Sequence, residues 1–136
     1  ERHRTVVEAV PHREQLAEPY RSFLELNTAF KALCTRWQIR DGEPNDHTDP
    51  LHDRACVDEL AELARSAEPL VENFADTVPR LIRYRSRLRR AVQRVAAGEV
   101  TMFSGVACGS FHDIWMELHE DLIVLQGIDR EVEGSF

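Results

Sequence analysis

The stretch Ser110–Gly127, SFHDIWMELHEDLIVLQG, decides the fold. At about 100° per residue, its apolar side chains cover more than half of a helical projection: Phe111, Ile114, Trp115, Met116, Leu118, Leu122, Ile123 and Leu125. His112 and His119 fall inside this apolar arc. The opposite side carries the acidic residues Asp113, Glu117, Glu120 and Asp121. The pattern predicts a helix that other helices mostly wrap, with two imidazoles on the wrapped side.

Both ends of this helix carry a recognisable signal. Ser110 is a favourable N-cap residue, and Asp113 follows three positions later, as in a capping box. Gly127 suits the left-handed conformation that commonly ends a helix. We therefore place the helix between these residues.

The rest of the chain is also helical in its periodicity. Further helices are predicted over Arg2–Ala9, Tyr20–Gln38, Leu51–Ala75 and Pro79–Ala97. The first should end at Val10 because the residue before a proline is driven out of the α region, and Pro69 should kink or divide the third. The inward face of that third helix is predicted to be Leu51, Ala55, Cys56, Leu60, Leu63, Ala67, Leu70, Val71 and Phe74. The fold class that follows is a single all-α domain over residues 1–136, an irregular bundle of about five helices with no sheet.

Composition limits the class of protein. The chain has 136 residues, of which 43% are hydrophobic and 30% charged, as in a globular domain. No apolar run approaches the roughly 20 residues needed to span a bilayer, so no membrane contact is predicted. The net charge of -7 argues against direct nucleic-acid contact. Cys34, Cys56 and Cys108 form no CxxC pair and lie among apolar residues, which predicts buried, reduced thiols and a cytoplasmic protein.

The predicted helix Pro79–Ala97 carries a stripe of arginines: Arg80, Arg83, Arg87, Arg90 and Arg94. Guanidinium groups suit phosphate, so Arg83, Arg87 and Arg90 are candidate anion-binding residues. The alternative is that the stripe pairs with acidic side chains of neighbouring helices, and we favour this alternative because the chain is rich in carboxylates.

The histidines of the C-terminal helix allow two interpretations. His112 and His119 are seven residues apart, about 10.5 Å along a helix, too far to share one metal ion comfortably. They are either core histidines bonded to polar groups such as Asn27 or Gln38, or part of an internal pocket for a small ligand. The predicted lining of that pocket is His112, His119, Trp115, Trp37 and Asn27. No catalytic residue, metal ligand or cofactor is assigned.

The segment Arg40–Pro50, RDGEPNDHTDP, is predicted to be a loop because it is rich in glycine, proline, aspartate and asparagine. Its polar residues favour a network of turns and helix caps. A hard-metal site is the less favoured alternative, with ligands drawn from Asp46, His47, Asp49, His52 and Asp53.

Three segments carry a resemblance to a known family: FLELNTAFKALCTRWQ (Phe23–Gln38), PNDHTDP (Pro44–Pro50) and FHDIWMELHEDL (Phe111–Leu122). They resemble a poorly characterised bacterial helical domain found C-terminal to winged-helix, MarR-like proteins or to phosphoenolpyruvate-utilising, pyruvate phosphate dikinase-like proteins. Phe111 stands where the resemblance leads us to expect a tyrosine. The resemblance implies no catalytic residues for the domain, and it implies an attached N-terminal domain.

Two functions are therefore considered. The first is a non-catalytic ligand-sensing or dimerisation domain of a bacterial regulatory protein, which would act on the attached domain. The second is an accessory C-terminal domain of a pyruvate phosphate dikinase-like phosphotransfer enzyme, in which the arginine stripe meets phosphate. Expected partners are a second copy of the chain, the attached N-terminal domain and a small molecule.

Overall fold

The computed structural model describes residues 2–105 and 109–127, with side chains from residue 13 onward. This part of the chain contains five α-helices, one 3-10 helix and one short hairpin. In chain order they are α1 (Arg2–Gln38), β1 (Ile39–Arg40), β2 (Glu43–Pro44), α2 (Pro50–Thr77), the 3-10 helix Pro79–Ile82, α3 (Arg83–Ala96), α4 (Thr101–Ser104) and α5 (Phe111–Gln126). The prediction of a mostly helical bundle is confirmed.

The four long helices form an antiparallel bundle. α1 packs against α2 and α5, and α3 packs against the same two helices, so their order around the bundle is α1, α2, α3, α5. Helices that are neighbours in this order run in opposite directions. Between α1 and α5, for example, Tyr20 contacts His119, and Arg13, earlier on α1, donates to the main-chain oxygens of Gln126 and Gly127 at the end of α5. The helix that we predicted to be wrapped thus contacts α1, α3 and α4.

The core resembles a coiled-coil repeat because the buried positions advance in steps of four and three residues. The steps alternate along α1, and α2 has one extra step of four, from Ala67 to Val71. On α1 the buried positions include Leu16, Tyr20, Phe23, Asn27, Phe30, Cys34 and Trp37. On α2 the corresponding set is Cys56, Leu60, Leu63, Ala67, Val71 and Phe74. The first two residues of the inward face predicted for that helix are wrong: Leu51 is 78% exposed and Ala55 is also exposed, because the buried stripe of α2 begins only at Cys56.

The prediction of no sheet is wrong in one place. β1 and β2 pair as a short antiparallel hairpin, with Ile39 opposite Pro44 and Arg40 opposite Glu43. The two residues between the strands, Asp41 and Gly42, both have positive φ angles, 54° and 78°. An Asp-Gly pair of this conformation is the favoured two-residue hairpin turn, so the signal was present inside the segment predicted as loop.

The prolines of the long helices do not interrupt them. α1 runs through Pro11 and Pro19, so the predicted end at Val10 is wrong, and α2 is not divided at Pro69. A proline in a helix removes one hydrogen bond and crowds the preceding turn. Pro19 is itself buried, so packing of α1 offsets that cost at this position, whereas Pro69 is exposed. Pro79 opens the 3-10 turn that leads into α3.

The predicted ends of α5 are confirmed. The Ser110 hydroxyl accepts a hydrogen bond from the Asp113 main-chain N–H at 3.0 Å, and the Asp113 carboxylate accepts one from the Gly109 N–H at 3.0 Å. Gly127 adopts the left-handed conformation with φ 66°. The two caps thus satisfy main-chain groups that the helix itself leaves unpaired.

The described cysteines are buried as predicted, and Cys108 lies outside the described residues. Cys34 is 9% exposed and Cys56 is 4% exposed. Burial raises the pKa of the Cys34 thiol to about 11, which keeps it protonated at neutral pH.

Candidate functional site

The interface between α1 and α5 contains a buried polar pair. The indole Nε1–H of Trp115 donates to Oδ1 of Asn27 at 3.0 Å. Trp115 is 0% exposed and Asn27 is 3% exposed, so this donor and this acceptor are paired in a part of the interface from which water is excluded. Because a buried donor without a partner is costly, this pair fixes how α1 and α5 lie against each other.

Aromatic rings surround this pair. The rings of Trp115 and Phe23 are stacked with centroids 4.7 Å apart, and Phe30 lies 5.4 Å from the same indole. Phe111, from the first turn of α5, lies 5.8 Å away on the same helix. Ring pairs at these distances stabilise the fold beyond the contribution of the apolar area that they bury.

His119 lies one turn further along α5 and is completely buried, as predicted. Its Nε2 atom is 3.3 Å from the Tyr20 hydroxyl, and its ring centroid is 5.3 Å from that of Phe23. Asn27 and Gln38 were the partners predicted for the histidines from the sequence, and Tyr20 was not among them. The heptad position of Tyr20 on α1 was the available signal. We call Asn27, Tyr20, Trp115 and His119 the α1–α5 polar layer.

The other predicted pocket residues lie outside this layer. His112 is half-buried and its ring lies 5.9 Å from that of Phe30, at the edge of the aromatic stack. Trp37 contacts a different set of rings: it stacks on Phe103 with centroids 4.3 Å apart and contacts His47 at 4.7 Å. The structure thus brings three of the five predicted residues together, puts His112 beside them and places Trp37 near the hairpin.

The arginine stripe of α3 is extensively paired. Arg80 forms two hydrogen bonds with Asp121, at 2.6 and 2.8 Å, and Arg87 forms two with Glu117, each 2.9 Å. Arg83 is 3.9 Å from Glu117. On the other side of α3, two ion pairs join it to α2: Arg85 with Glu72 and Arg89 with Glu68. The pairing that we favoured from the sequence is present at these positions.

Arg90 differs from its neighbours. It is exposed, and it has no acidic partner within the part of the chain that the structure describes. Together with Arg87 and Arg94 it lines a surface cavity of about 170 Å³. Arg94 is held by Glu99 through three hydrogen bonds of 2.7 to 3.2 Å. Of the three predicted anion-binding residues, only Arg90 keeps a guanidinium without a carboxylate partner among the described residues.

Tyr84 connects the arginine pairs to the core. Its hydroxyl donates to Oδ2 of Asp121 at 2.7 Å and lies 3.2 Å from a carboxylate oxygen of Glu117. Burial and the neighbouring carboxylates raise the pKa of Tyr84. Hydrogen bonds from Arg80 and from Arg87 lower the pKa of Asp121 and of Glu117 respectively. These contacts join α3 to α5 through charge-assisted hydrogen bonds.

The lowered pKa of Asp121 predicts a pH-dependent loss of stability. Because the pKa is lower in the folded than in the unfolded state, the carboxylate stabilises the fold above the unfolded pKa of about 3.9, and this contribution disappears as the pH falls through the folded pKa. We expect Asp121→Asn to lower the free energy of unfolding by about 1–2 kcal/mol at pH 7. The difference from the wild type should shrink below about pH 4. Urea titrations at several pH values measure the difference in the free energy of unfolding between the variant and the wild type.

Asp58→Asn is the matched control, since Asp58 is exposed on α2. Its unfolding free energy should stay within about 0.5 kcal/mol of the wild type at pH 7. An Asp121→Asn effect that is the same at pH 7 and at pH 3 would contradict the prediction.

A second polar network orders the loop between the hairpin and α2. The Asn45 amide Nδ2 donates to the Trp37 main-chain oxygen at 2.8 Å and to Oδ1 of Asp53 at 3.0 Å. The other carboxylate oxygen of Asp53 is 2.8 Å from Nδ1 of His47. His47 has a positive φ of 61°, and its main-chain N–H donates to Oδ1 of Asn45 at 3.0 Å. The loop therefore ties the end of α1 to the start of α2.

Helix caps complete this network, as the favoured interpretation predicted. Asp49 is the N-cap of α2 and accepts from the main-chain N–H groups of Leu51 and His52. The ring of His52 is hydrogen-bonded through Nε2 to the main-chain oxygen of Arg36, near the end of α1, at 2.8 Å. Among the side chains that the structure describes, those of residues 13–105 and 109–127, no group of three or more candidate ligands is placed to hold a metal ion.

Comparison with known proteins adds no assignment. No protein-family model matches the chain, and no curated protein or solved structure is significantly similar to it. Within the part of the chain that the structure describes, no helix is both long and apolar enough to cross a membrane. The class that the structure defines is that of a helical bundle.

Proposed function

We propose that this chain is a non-catalytic ligand-sensing or dimerisation domain of a cytoplasmic bacterial regulatory protein. The observation that carries the proposal is the α1–α5 polar layer, in which two buried contacts join α1 to α5. Buried polar groups in helical bundles specify the register of the helices, and the best attested use of such groups is this role or a switch. A module that transmits a signal needs a defined register that a ligand or partner can bias.

α1 is the element that would transmit the signal. It is continuous over 37 residues and it shares the polar layer with α5. Arg13 contacts the C-terminal end of α5 through two hydrogen bonds of 2.7 and 2.8 Å, and the helix continues on the N-terminal side of this contact as far as Arg2. A domain attached to the start of α1 would therefore be joined through a helix to the layer.

The proposed ligand site is the pocket predicted from the sequence, centred on His112, His119, Trp115 and Asn27. Asn27, Trp115 and His119 are buried, whereas His112 is half-buried. We place the entry of a ligand at His112 for this reason. Trp37 belongs to the other end of α1 and would act on the ligand only through the helix.

The test combines two measurements on the purified chain. Light scattering with size-exclusion chromatography reports a dimer, and a thermal-shift screen with mass spectrometry of co-purified molecules reports a ligand. A ligand present at 100 times its Kd adds about 2.7 kcal/mol of stability, which such a screen detects. His112→Ala should lower the affinity for that ligand, while Val124→Ala, at an exposed position of the same helix, should leave it unchanged. A monomer for which no ligand is found contradicts the proposal.

The second candidate, an accessory domain of a pyruvate phosphate dikinase-like phosphotransfer enzyme, is favoured by one observation. Arg90, the one of the three predicted anion-binding arginines that has no carboxylate partner among the described residues, lies in the cavity that Arg87 and Arg94 also line. Phosphate is the anion that such a group of guanidinium ions suits.

This candidate predicts phosphate binding that depends on Arg90. Calorimetry at low ionic strength should show heat on titration with inorganic phosphate, and Arg90→Ala should weaken binding about tenfold, the loss of about 1.4 kcal/mol that one charge-assisted hydrogen bond supplies. Arg89→Ala is the matched control because Arg89 pairs with Glu68 on the α2 side. The double change Arg83→Glu and Arg87→Glu should abolish the heat. No heat from the wild type rejects this candidate.

A further inference from the structure

An open cleft lies where the end of α1 meets the hairpin and α4. Its volume is about 280 Å³, just below the range typical of pockets for drug-sized ligands, so it suits a smaller molecule. We call it the hairpin cleft. The residues that decide its chemistry are Trp37, Gln38, His47, Val100, Thr101 and Ser104. None of them belongs to the α1–α5 polar layer.

His47 is held in one tautomer by its neighbour. Its Nδ1 atom is 2.8 Å from Oδ2 of Asp53, and a carboxylate at this distance only accepts. Nδ1 therefore carries the proton, and in the neutral ring Nε2 is left as an acceptor. The ring also contacts Trp37, and the main chain is held in its left-handed conformation by Asn45. A ligand that donates an O–H or N–H hydrogen bond would find this acceptor already oriented.

The remaining groups favour a neutral molecule that can both donate and accept hydrogen bonds. The lining contains no lysine, arginine, aspartate or glutamate. Thr101 and Ser104 supply hydroxyl groups, and the Gln38 amide contacts the Ser104 hydroxyl at 3.4 Å, a weak contact that a ligand can replace. An ionic ligand would lose part of its hydration in the cleft, and no charged lining group would offset the free-energy cost of that desolvation.

The shape of the cleft disfavours flat aromatic ligands. The indole of Trp37 is 4% exposed, it stacks on Phe103 at 4.3 Å and 8°, and it also contacts the His47 ring. It therefore offers an edge and no open face for stacking. We propose that the hairpin cleft binds a small, uncharged polyhydroxylated molecule, a monosaccharide or polyol, with one hydroxyl group donating to Nε2 of His47. This inference does not depend on the proposed ligand of the α1–α5 layer.

Nitrogen NMR of the imidazole rings tests the inference directly. The ¹⁵N-labelled chain is titrated with D-glucose, D-ribose and myo-inositol, and with D-gluconate and uracil as anionic and flat comparators. We expect a saturable shift of the His47 Nε2 signal with at least one of the three neutral polyhydroxylated probes, at concentrations up to about 100 mM. The His52 signal is the internal control because its Nε2 is already bonded to the Arg36 main-chain oxygen. No saturable shift, or a shift with D-gluconate or uracil alone, overturns the proposal.

Two variants check that the shift reports the cleft. His47→Phe keeps a ring beside Trp37 but removes the acceptor, and Ser104→Ala removes a hydroxyl that α4 contributes to the lining and leaves the sequence of the loop unchanged. Each variant should bind the probe about tenfold more weakly, which corresponds to the loss of about one hydrogen bond. The shift of the Ser104 main-chain amide measures the affinity of His47→Phe, and the shift of the His47 main-chain amide measures that of Ser104→Ala. His52→Gln, outside the cleft, should leave the affinity unchanged. If Ser104→Ala binds as tightly as the wild type, the probe is not in the cleft.

Discussion

Replacing Trp115 with alanine is expected to lower the free energy of unfolding by about 3–5 kcal/mol, the largest effect that we predict for a single substitution in this chain. The side chain is completely buried, and its ring contacts Phe23 and Phe30 from α1. Removing it leaves a cavity in the α1–α5 interface and also leaves the Asn27 amide without its donor. Because domains of this size are stable by only about 5–15 kcal/mol, this one substitution is expected to remove a large fraction of the total stability.

Urea denaturation followed by circular dichroism measures this loss. Val124→Ala is the matched control, since Val124 lies on the same helix and is 52% exposed. Its effect should stay within about 0.5 kcal/mol. If Trp115→Ala costs only about 1 kcal/mol or less, the indole is not the packed centre of the interface.

The second prediction separates the hydrogen bond of this pair from its packing. Asn27→Leu should cost about 1–3 kcal/mol because the Trp115 N–H stays buried without an acceptor. In the Asn27→Leu background, Trp115→Phe removes that unpaired donor while it keeps an aromatic ring. The two changes together should therefore cost less than the sum of the single changes, by at least about 0.5 kcal/mol.

A double-mutant cycle in urea measures this coupling. The control cycle pairs Asn27→Leu with Leu88→Val on α3, and its two effects should add because Leu88 belongs to another face of the bundle. If the costs of Asn27→Leu and Trp115→Phe also add, the hydrogen bond contributes nothing specific to the α1–α5 interface.

The helical faces were predictable because they depend on local periodicity. A period near 3.5 residues places Phe23, Phe30 and Trp115 on inward faces whatever the rest of the chain does. The N-cap at Ser110 and the end at Gly127 are also local, since each depends on one residue and its nearest turn. These are the predictions about α5 that the structure confirms.

The features that the sequence analysis missed depend on register between distant segments. Tyr20 and His119 are 99 positions apart, and nothing in either segment shows that they meet. Likewise, nothing in the local sequence around Tyr84 or Asp121 shows that these two side chains form a hydrogen bond. The continuity of α1 through Pro19 was missed for a related reason, because the burial of this proline depends on tertiary packing, which can outweigh a local preference.

The hydrogen bonds of Arg13 to the end of α5 also have a consequence for the order of the helices along the chain. They show that Arg13 of α1 and the end of α5 lie side by side at one end of the contact between these helices. A circularly permuted chain, joined across this end and opened at the exposed Gly98 between α3 and α4, is therefore expected to keep every interface of the ring. If this permuted chain folds, the order in which the helices follow one another along the chain is not what determines the bundle.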